Sequence, residues 1–189
     1  MLSHGQNGIF RQKSVAYPSN VSLNCQYLDQ KQLIMPITLD AIDRKILSLL
    51  QADGRISIAD LAQKVGLSPS PCLRRVRLLE EAGIVARYVA VLDQQSVGLP
   101  VSVFVSIKLE SQREEALDRF AKSIQRWPEV LECYLMTGPR DYLLRVVVAD
   151  LAAYERFLKQ KLTKLSGIGS IESSFALEQV KYTNVLPLA

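Results

Sequence analysis

The chain has 189 residues, of which 48% are hydrophobic and 22% are charged, so it can build an apolar core and is not disordered throughout. Its formal net charge of +4 is unevenly placed, because residues 35–92 hold eight Lys or Arg against six Asp or Glu, whereas residues 93–189 hold twelve of each. The single histidine, His4, excludes a Ser-His-Asp triad, a Cys-His pair and a His/Cys zinc cluster in the body of the chain. We therefore expect no catalytic residue, no metal and no cofactor.

Hydropathy and cysteine usage predict the compartment. No apolar run approaches the roughly 18 residues that cross a bilayer, and the Met1 end lacks the layout of a signal peptide. Three widely spaced cysteines argue against a disulfide framework. A cytoplasmic protein is the expectation. Cys72 and Cys133 are interpreted as small buried apolar residues, with a redox switch as the alternative.

The N-terminal segment shows no helical or strand periodicity and is rich in Ser, Asn and Gln, so residues 1–35 are predicted to be a flexible extension. Ordered patterning starts abruptly at Met35. One hypothesis is that Met35 is the natural start and the preceding residues are not native. The alternative is a basic arm that follows a DNA groove, for which Arg11 and Lys13 give slender support.

Three short helices are predicted next, within a domain over residues 36–90. Asp40 caps the first helix, and apolar residues recur behind it at helical spacing. Ser57 caps the second helix, which ends at Gly66 because glycine readily adopts the left-handed conformation. Ser68 caps the third helix, and Pro69 takes its first position, where the missing N–H is harmless.

The third helix, SPSPCLRRVRLLEEAG, has two different faces. Its apolar residues fall on one side, while Ser70, Arg74 and Arg77 fall on the other and Arg75 lies on the flank. Arginine pairs bidentately with guanine and also holds phosphates, so this surface fits a major groove. Ser68 and the amides of the helix N-terminus could also receive a phosphate. The alternative is a solvated basic helix in an ordinary bundle. The complete helix–glycine turn–helix pattern favours a DNA-binding helix.

The residues after Gly83 change character. IVARYVAVL is β-rich and could form a wing or an arm strand, and residues 91–100 are predicted to be a linker. Over residues 101–189 the pattern predicts strand, helix, strand, strand, helix, strand, which is a ferredoxin-like βαββαβ arrangement. Such a sheet is covered by helices on one face only. The other face is available to a second copy, so a homo-oligomer is expected.

Several motifs in this order, LDAIDRKIL, DGRIS, VGLSPSPCLRRVRLLEEAGIV and LMTGPRDYLLRV, resemble the leucine-responsive regulatory protein/asparagine regulator (Lrp/AsnC) family. The resemblance covers about residues 36–185. It implies an α+β chain with an N-terminal winged helix-turn-helix domain that binds double-stranded DNA and a C-terminal ferredoxin-like domain that binds an effector. It also implies homodimers that assemble into octamers or larger particles, with an amino acid bound where dimers meet.

The resemblance places the candidate sites residue by residue. The helix over 57–65 matches the positioning helix and that over 68–82 the recognition helix. The candidate DNA-contact residues are Ser57, Ser68, Ser70, Arg74, Arg75 and Arg77. The candidate effector-site residues are Leu135, Thr137, Gly138, Arg140, Asp141, Tyr142, Ser173 and Ser174. Among these, Gly138 would allow close approach of a ligand to the backbone, and Asp141 could accept a bond from an ammonium group.

One departure from the family pattern concerns the effector. Many relatives have an acidic residue directly after the loop glycine, whereas this chain has Pro139 followed by Arg140. Losing an acceptor and gaining a cation alters which amino acid is expected to bind, or whether one binds. The GPRD sequence also fits an ordinary turn in which proline fixes φ.

The leading hypothesis is a sequence-specific transcription regulator that responds to a small effector. An effector-independent architectural protein that wraps DNA with low sequence preference is the alternative. An amino-acid-processing enzyme is disfavoured, because the chain lacks a nucleophile–base constellation and a phosphate-binding loop. The target genes, the identity of the amino acid and the direction of regulation are not written in the sequence.

Overall fold

The computed structural model describes residues 38–188. The predicted flexible extension over residues 1–35, including both hypotheses about its origin, therefore lies outside the described residues. Within the described part, three α-helices precede a unit of four strands and two α-helices. No helix in this part is long and apolar enough to span a membrane.

The first three helices are α1 (Ala41–Ala52), α2 (Ile58–Val65) and α3 (Pro69–Glu81). Asp40 caps α1 in a reciprocal capping box with Asp43, and the Ser57 side chain accepts a hydrogen bond from Asp60 N–H at the start of α2. Gly66 ends α2 at a φ of 76°, in the left-handed region. These local features confirm the predicted positions of the two helix starts and of the tight turn before α3.

The cap of α3 differs from the prediction. Ser68 occupies the N-cap position and Pro69 follows it, but the Ser68 side chain makes no capping hydrogen bond. A capping hydroxyl bonds the N–H of the second or third helical residue, and the third residue here is Pro71, which has no N–H. The start of α3 is therefore fixed by proline geometry and packing rather than by a serine cap.

One apolar cluster joins the three helices. Side chains of α1, α2 and α3 meet in it, and Ile46, Leu61 and Cys72 are fully buried. Burying an aliphatic side chain of this size contributes about 1.5–3 kcal/mol, so the cluster holds the three helices in a defined arrangement. It therefore also fixes which side of α3 faces outward.

The predicted wing strand is not formed within the described chain. Residues 86–92 are extended and exposed, yet they belong to no strand and make no backbone hydrogen bond with other described residues. Val89, Val91 and Leu92 each expose more than half of their surface. The composition of this segment favours a strand, but residues 38–188 supply no neighbouring strand for it.

The C-terminal unit comprises β1 (Val101–Leu109), α4 (Glu114–Ile124), β2 (Val130–Leu135), β3 (Tyr142–Val148), α5 (Leu151–Gln160) and β4 (Ile168–Phe175). A short 3-10 helix, Leu162–Lys164, follows α5. The strands form one antiparallel sheet in the order β2-β3-β1-β4. This order confirms the predicted βαββαβ arrangement.

The two faces of the sheet are different. Val103, Val105 and Ile107 alternate along β1 and pack, fully buried, against Phe120 of α4 and Phe157 of α5. The residues between them face away from the helices, and Phe104 on this open face remains 39% exposed. The period-two pattern of β1 therefore predicted the buried face of the sheet.

Both connecting segments are attached to neighbouring elements. In the predicted linker, residues 91–100, Gln94 donates to Ser102 Oγ at 3.1 Å and accepts from Arg145 Nη2 at 3.2 Å. After β4, the chain returns to the helical unit, where the Gln51 side chain bonds Leu186 N–H at 2.6 Å and Leu186 C=O at 3.2 Å. The linker and the C-terminal segment thus both connect the sheet unit to the remainder of the chain.

Candidate DNA interface and effector site

The outward side of α3 carries unpaired cationic groups. Ser70, Arg74 and Arg77 are exposed, as the helical spacing predicted. Neither Arg74 nor Arg77 makes a side-chain hydrogen bond or ion pair with other described residues. Cys72, Val76 and Leu79 are buried on the opposite side and set the rotation of the helix. Both guanidinium groups are therefore available to an external partner.

The same surface includes an apolar residue that sequence reasoning missed. Leu78 is 47% exposed beside Arg74 and Arg77, and a shallow depression of about 270 Å³ lies between these side chains and Glu81. An exposed apolar side chain in this position can contact a thymine methyl group in a major groove. The helical wheel places Leu78 at the border of the apolar stripe, which is the signal that could have identified it.

Arg75 differs from Arg74 and Arg77 because it has partners within the chain. It was predicted to contact DNA, but its Nη1 is 2.7 Å from Asp40 Oδ2 and 2.7 Å from Asp43 Oδ1, and its side chain is 27% exposed. The hydrogen bond from its guanidinium group to Asp43, followed in size by the one to Asp40, raises the pKa of Arg75. Arg75 therefore joins α3 to the start of α1, and its predicted contact with DNA stays a prediction.

The serines and the N-terminus of α3 offer fewer donors than predicted. Ser57 Oγ donates to Asp60 Oδ2 at 2.6 Å while it caps α2, so a phosphate would have to compete with this bond. At the start of α3, Pro69 and Pro71 have no N–H, which leaves Ser70 as the residue whose amide can reach a phosphate. Ser68 keeps a free hydroxyl because it forms no cap bond. Contacts from Ser57 and Ser68 stay predictions.

The candidate effector site lies at the connection between β2 and β3. Leu135 ends β2 with 59% of its surface exposed, and Thr137 and Gly138 follow it, exposed, in the turn. Gly138 has a φ of 108°, a conformation that L-residues avoid, and a Cβ there would meet no neighbour. Glycine is therefore required at this turn by backbone conformation and not by crowding within the subunit.

Asp141 is buried and already satisfied by internal donors. Its carboxylate accepts hydrogen bonds from Leu109 N–H at 2.7 Å, Gln112 Nε2 at 2.6 Å and Lys108 Nζ at 3.3 Å. Burial acts to raise its pKa, but these three donors hold the pKa of Asp141 below its ordinary value. The geometry makes Asp141 a connection between the turn, the end of β1 and the start of α4. Its predicted bond to an ammonium group stays untested.

Arg140 is exposed but has internal partners. Its Nη2 is 2.6 Å from Glu172 Oε2, and its Nη1 donates to Ser170 Oγ at 2.8 Å. Both partners lie on β4, so the guanidinium group extends from the β2–β3 turn across the end of β1. We call this contact set the Arg140 bridge. The side chains of Arg140 and Glu172 are 38% and 61% exposed, respectively.

The remaining predicted residues do not converge with the turn. Tyr142 is buried, its ring packs on Phe120 with centroids 4.5 Å apart, and its hydroxyl donates to Leu117 C=O at 3.3 Å. Ser173 lies on the helix-covered face, where its hydroxyl bonds Tyr154 OH at 2.5 Å. Ser174 lies on the open face, two residues beyond Glu172 and thus about 7 Å further along β4.

Sequence reasoning missed four residues that the fold brings to the turn: Lys108, Gln112, Ser170 and Glu172. Alternation along β1 and β4 places Lys108, Ser170 and Glu172 on the open face, and this signal was available. Their closeness to the turn depends on strand order, because Arg140 and Glu172 are 32 residues apart in the chain. The site thus gathers two cations, two carboxylates and a hydroxyl.

Comparisons with known proteins identify the families that the two parts of the chain resemble. Residues 39–86 match the family model described as winged helix-turn-helix DNA-binding, and residues 102–186 match the Lrp/AsnC ligand binding domain. The first match contains all of α1, α2 and α3, and the second contains the β2–β3 turn and the Arg140 bridge.

Relatives and solved structures match most of the chain. The Bkd operon transcriptional regulator of Pseudomonas aeruginosa is 51% identical over 79% of this chain and 98% of its own length. The leucine-responsive regulatory protein of Haemophilus influenzae is 43% identical over 79% of this chain and 90% of its own length. A transcriptional regulator from Neisseria meningitidis, solved as an L-Met complex, superimposes with a TM-score of 0.76 at 43% identity, covering 79% of this chain and 97% of that one.

These relatives are transcriptional regulators and not enzymes, and they match this chain across both the helical unit and the sheet unit. The chain therefore belongs to the Lrp/AsnC family of DNA-binding transcriptional regulators.

Proposed function

We propose that this regulator binds specific DNA sites as a homodimer, or as a larger assembly of dimers, and that an amino acid controls its binding. The observation that carries the proposal is the outward pair Arg74 and Arg77, unpaired with other described residues and held in place by the buried side of α3. The division into a DNA-binding domain (36–90), a linker (91–100) and an effector domain (101–189) is part of the same proposal. The proposed site of action is the cytoplasm, where the DNA lies.

Base recognition is assigned to Ser70, Arg74 and Arg77. A helix enters the major groove with its outward residues towards the base edges, and arginine forms two hydrogen bonds with guanine there. A dimer places two such helices on half-sites about one helical turn apart. Arg75 supports this surface from behind through its bonds to Asp40 and Asp43.

Dimerisation is supported by an apolar surface that the other described residues leave exposed. A groove of about 1330 Å³ runs between residues 89–100, the open face of the sheet and residues 176–184. Phe104, Leu131 and Leu177 expose 39%, 56% and 100% of their surfaces along it. The extended residues 86–92 also leave their backbone groups unbonded to other described residues. A second copy supplies both an apolar surface and a strand partner. Assembly into octamers or larger particles follows from the family resemblance.

Amino-acid control is supported by the ligand-binding domain match and by the ligands of relatives. The Neisseria meningitidis relative was solved with L-methionine, and others are named leucine-responsive. In this chain the proposed site surrounds the β2–β3 turn, with Arg140 and Asp141 as its charged groups. Because an effector acts through unequal affinity for two states, DNA must change the affinity for the amino acid by the same factor.

The DNA-binding proposal is tested by Arg74→Ala in a gel shift against the site that wild-type protein selects from a random duplex pool. Loss of a bidentate arginine–guanine contact costs about 1–3 kcal/mol, so affinity should fall about 5- to 150-fold. Arg126→Ala, an exposed arginine at the end of α4, is the control and should change affinity less than twofold on this scale. Normal binding by Arg74→Ala would remove α3 as the reading element.

The same titration on random DNA separates sequence-specific regulation from architectural wrapping. A specific regulator binds its selected site about 10³-fold or more tightly than random DNA, whereas an architectural protein shows little difference. Light scattering of the full chain tests the assembly, and a monomer at micromolar concentration would contradict it. Thermal unfolding in the presence of each of the twenty amino acids identifies the effector, and no shift with any of them would overturn amino-acid control.

A further inference from the structure

Arg140 and Glu172 form an ion pair at the surface, outside the buried core of the fold. Both side chains are substantially exposed, at 38% and 61%, and neither belongs to a buried network. Exposed ion pairs contribute little to stability because water and salt screen them. The Arg140 bridge can therefore open without unfolding the β2–β3 turn or the end of β4.

The other cation–carboxylate pair at this site, Lys108–Asp141, belongs to a buried set of hydrogen bonds. Asp141 is buried and accepts three hydrogen bonds, one of them from the backbone of Leu109, while Lys108 is directed to the Asp141 carboxylate. Breaking this set would leave the buried Asp141 carboxylate and the buried Leu109 N–H unsatisfied, which is costly. Of the two cation–carboxylate pairs, only Arg140–Glu172 is therefore suited to exchange partners with a ligand.

We propose that Arg140 binds the carboxylate of the amino-acid effector, that Glu172 occupies Arg140 when the effector is absent, and that the released Glu172 then accepts the effector's ammonium group. This inference rests on the proposed effector function and adds the residues that recognise the ligand backbone. One internal ion pair is exchanged for two external ones. An α-amino acid fits because its carboxylate and ammonium groups are adjacent, as are the two side chains that face them.

The proposed exchange of ion pairs determines which chemical groups a ligand must carry. A guanidinium group holds a carboxylate by two parallel hydrogen bonds, and Glu172 supplies the opposite charge beside it. A free amino acid satisfies both groups, an amino-acid amide lacks the carboxylate for Arg140, and a deaminated acid lacks the ammonium for Glu172. Discrimination against both analogues is therefore a property of this pair and does not depend on which side chain the effector carries.

The test measures binding to the full-length protein by calorimetry with L-leucine, L-leucinamide and 4-methylpentanoate, and in parallel with L-methionine and its amide. Wild type should prefer L-leucine over L-leucinamide by about tenfold or more, because hydrogen bonds to charged groups are strong. In Arg140→Gln this preference should fall to about threefold or less. In Glu172→Gln the preference for L-leucine over 4-methylpentanoate should fall by about fivefold or more, on the same reasoning.

Matched controls come from the exposed Lys159–Glu155 pair on α5. Lys159→Gln and Glu155→Gln remove a comparable exposed ion pair that has no partner in the Arg140 bridge, and they should retain the wild-type preferences. Unchanged thermal unfolding and DNA binding of Arg140→Gln and Glu172→Gln establish that both variants fold. The difference between site variants and controls then reports ligand recognition.

Two negative results have different meanings. If wild type binds L-leucine or L-methionine and Arg140→Gln keeps the full preference over the amide, the role of Arg140 is overturned while the effector proposal stands. If wild type binds none of the twenty amino acids, both are overturned. If another of the twenty binds instead, that amino acid and its amide replace L-leucine in the same comparison.

Discussion

The outward side of α3 and the β2–β3 turn both present arginine, but their arginines are in opposite states. Arg74 and Arg77 make no side-chain bond with other described residues, whereas Arg140 is bonded to Glu172 and Ser170. A DNA phosphate or base therefore meets groups that need not leave an internal partner. An effector must displace one. If the two surfaces act as we propose, DNA meets preformed groups, whereas an effector must replace an existing ion pair.

Regulation by a metabolite benefits from this difference. A preformed cationic surface binds DNA rapidly and with strong salt dependence, since counterions are released as phosphates are neutralised. A site that exchanges an internal ion pair for a ligand differs in contacts between its two states. Such a difference is what allows a ligand to shift an equilibrium. In the proposed mechanism the helical unit supplies affinity for DNA, and the sheet unit supplies the two states between which the ligand selects.

The largest expected effect on stability comes from replacing Asp141, the buried acidic residue at the end of the β2–β3 turn. Asp141→Asn replaces an acceptor by an NH₂ group that faces the donors of Gln112 and Lys108. We expect the free energy of unfolding at pH 7 to fall by about 2 kcal/mol, since the buried side chain at position 141 loses two hydrogen bonds and its NH₂ group faces donors. Urea denaturation measures this, and Asp150→Asn, at an exposed helix cap, is the control, with an expected loss of less than about 0.5 kcal/mol.

The same variant has a pH signature. The folded-state pKa of Asp141 lies below its ordinary value, so its carboxylate contributes stability above the unfolded pKa of about 3.9 and loses it as pH falls through the folded pKa. Wild type should therefore lose stability below about pH 4, and Asp141→Asn should show a shallower loss over that range. Parallel pH profiles would contradict the assignment of Asp141 as a charged connection between turn and strand.

These two regions also differ in how far the sequence predicted them. Local patterns were sufficient for the helix starts at Asp40 and Ser57, the turn at Gly66 and the buried face of β1. The missing cap bond at Ser68 also has a local cause, because Pro71 has no N–H to donate. The pattern of a serine before a helix did not reveal this, since it considers only the residue at the cap. Wherever one chain segment supplies all the determinants, the expectation was close to the structure.

Residues whose partners are distant in sequence could not be placed in this way. Arg75 meets Asp43 from 32 residues away, and Arg140 meets Glu172 across the same separation on the far side of β1. A helical wheel reports which side of a helix a residue occupies, and it does not report which neighbour approaches that side. The segment after Gly83 has no strand partner among the described residues, and its pairing as an arm strand with a second copy stays a prediction.

An intermediate effect on stability is expected for Arg75→Ala, and it distinguishes Arg75 from its neighbour Arg74 on α3. Arg75→Ala removes the donor to Asp43, a largely buried carboxylate, so the free energy of unfolding should fall by about 1 kcal/mol. Arg74→Ala is the matched variant one residue away and should leave stability within about 0.5 kcal/mol of wild type. In gel shifts of folded protein the order reverses: Arg74→Ala is strongly impaired and Arg75→Ala less than about threefold, since no base contact is lost. Equal loss of DNA affinity in both would restore Arg75 as a contact residue.

The smallest expected effect concerns the buried side of α3, where Cys72 has no exposed surface and burial raises the pKa of its thiol. Because oxidation requires an accessible thiolate, peroxide should leave DNA binding unchanged. The chain contains three cysteines, so Cys25→Ser with Cys133→Ser leaves Cys72 as the sole thiol for the measurement. Gel shifts before and after peroxide should agree within about twofold in this variant. A peroxide-dependent loss of binding would mean that α3 leaves its core often enough to expose Cys72, and the DNA surface would then not be preformed.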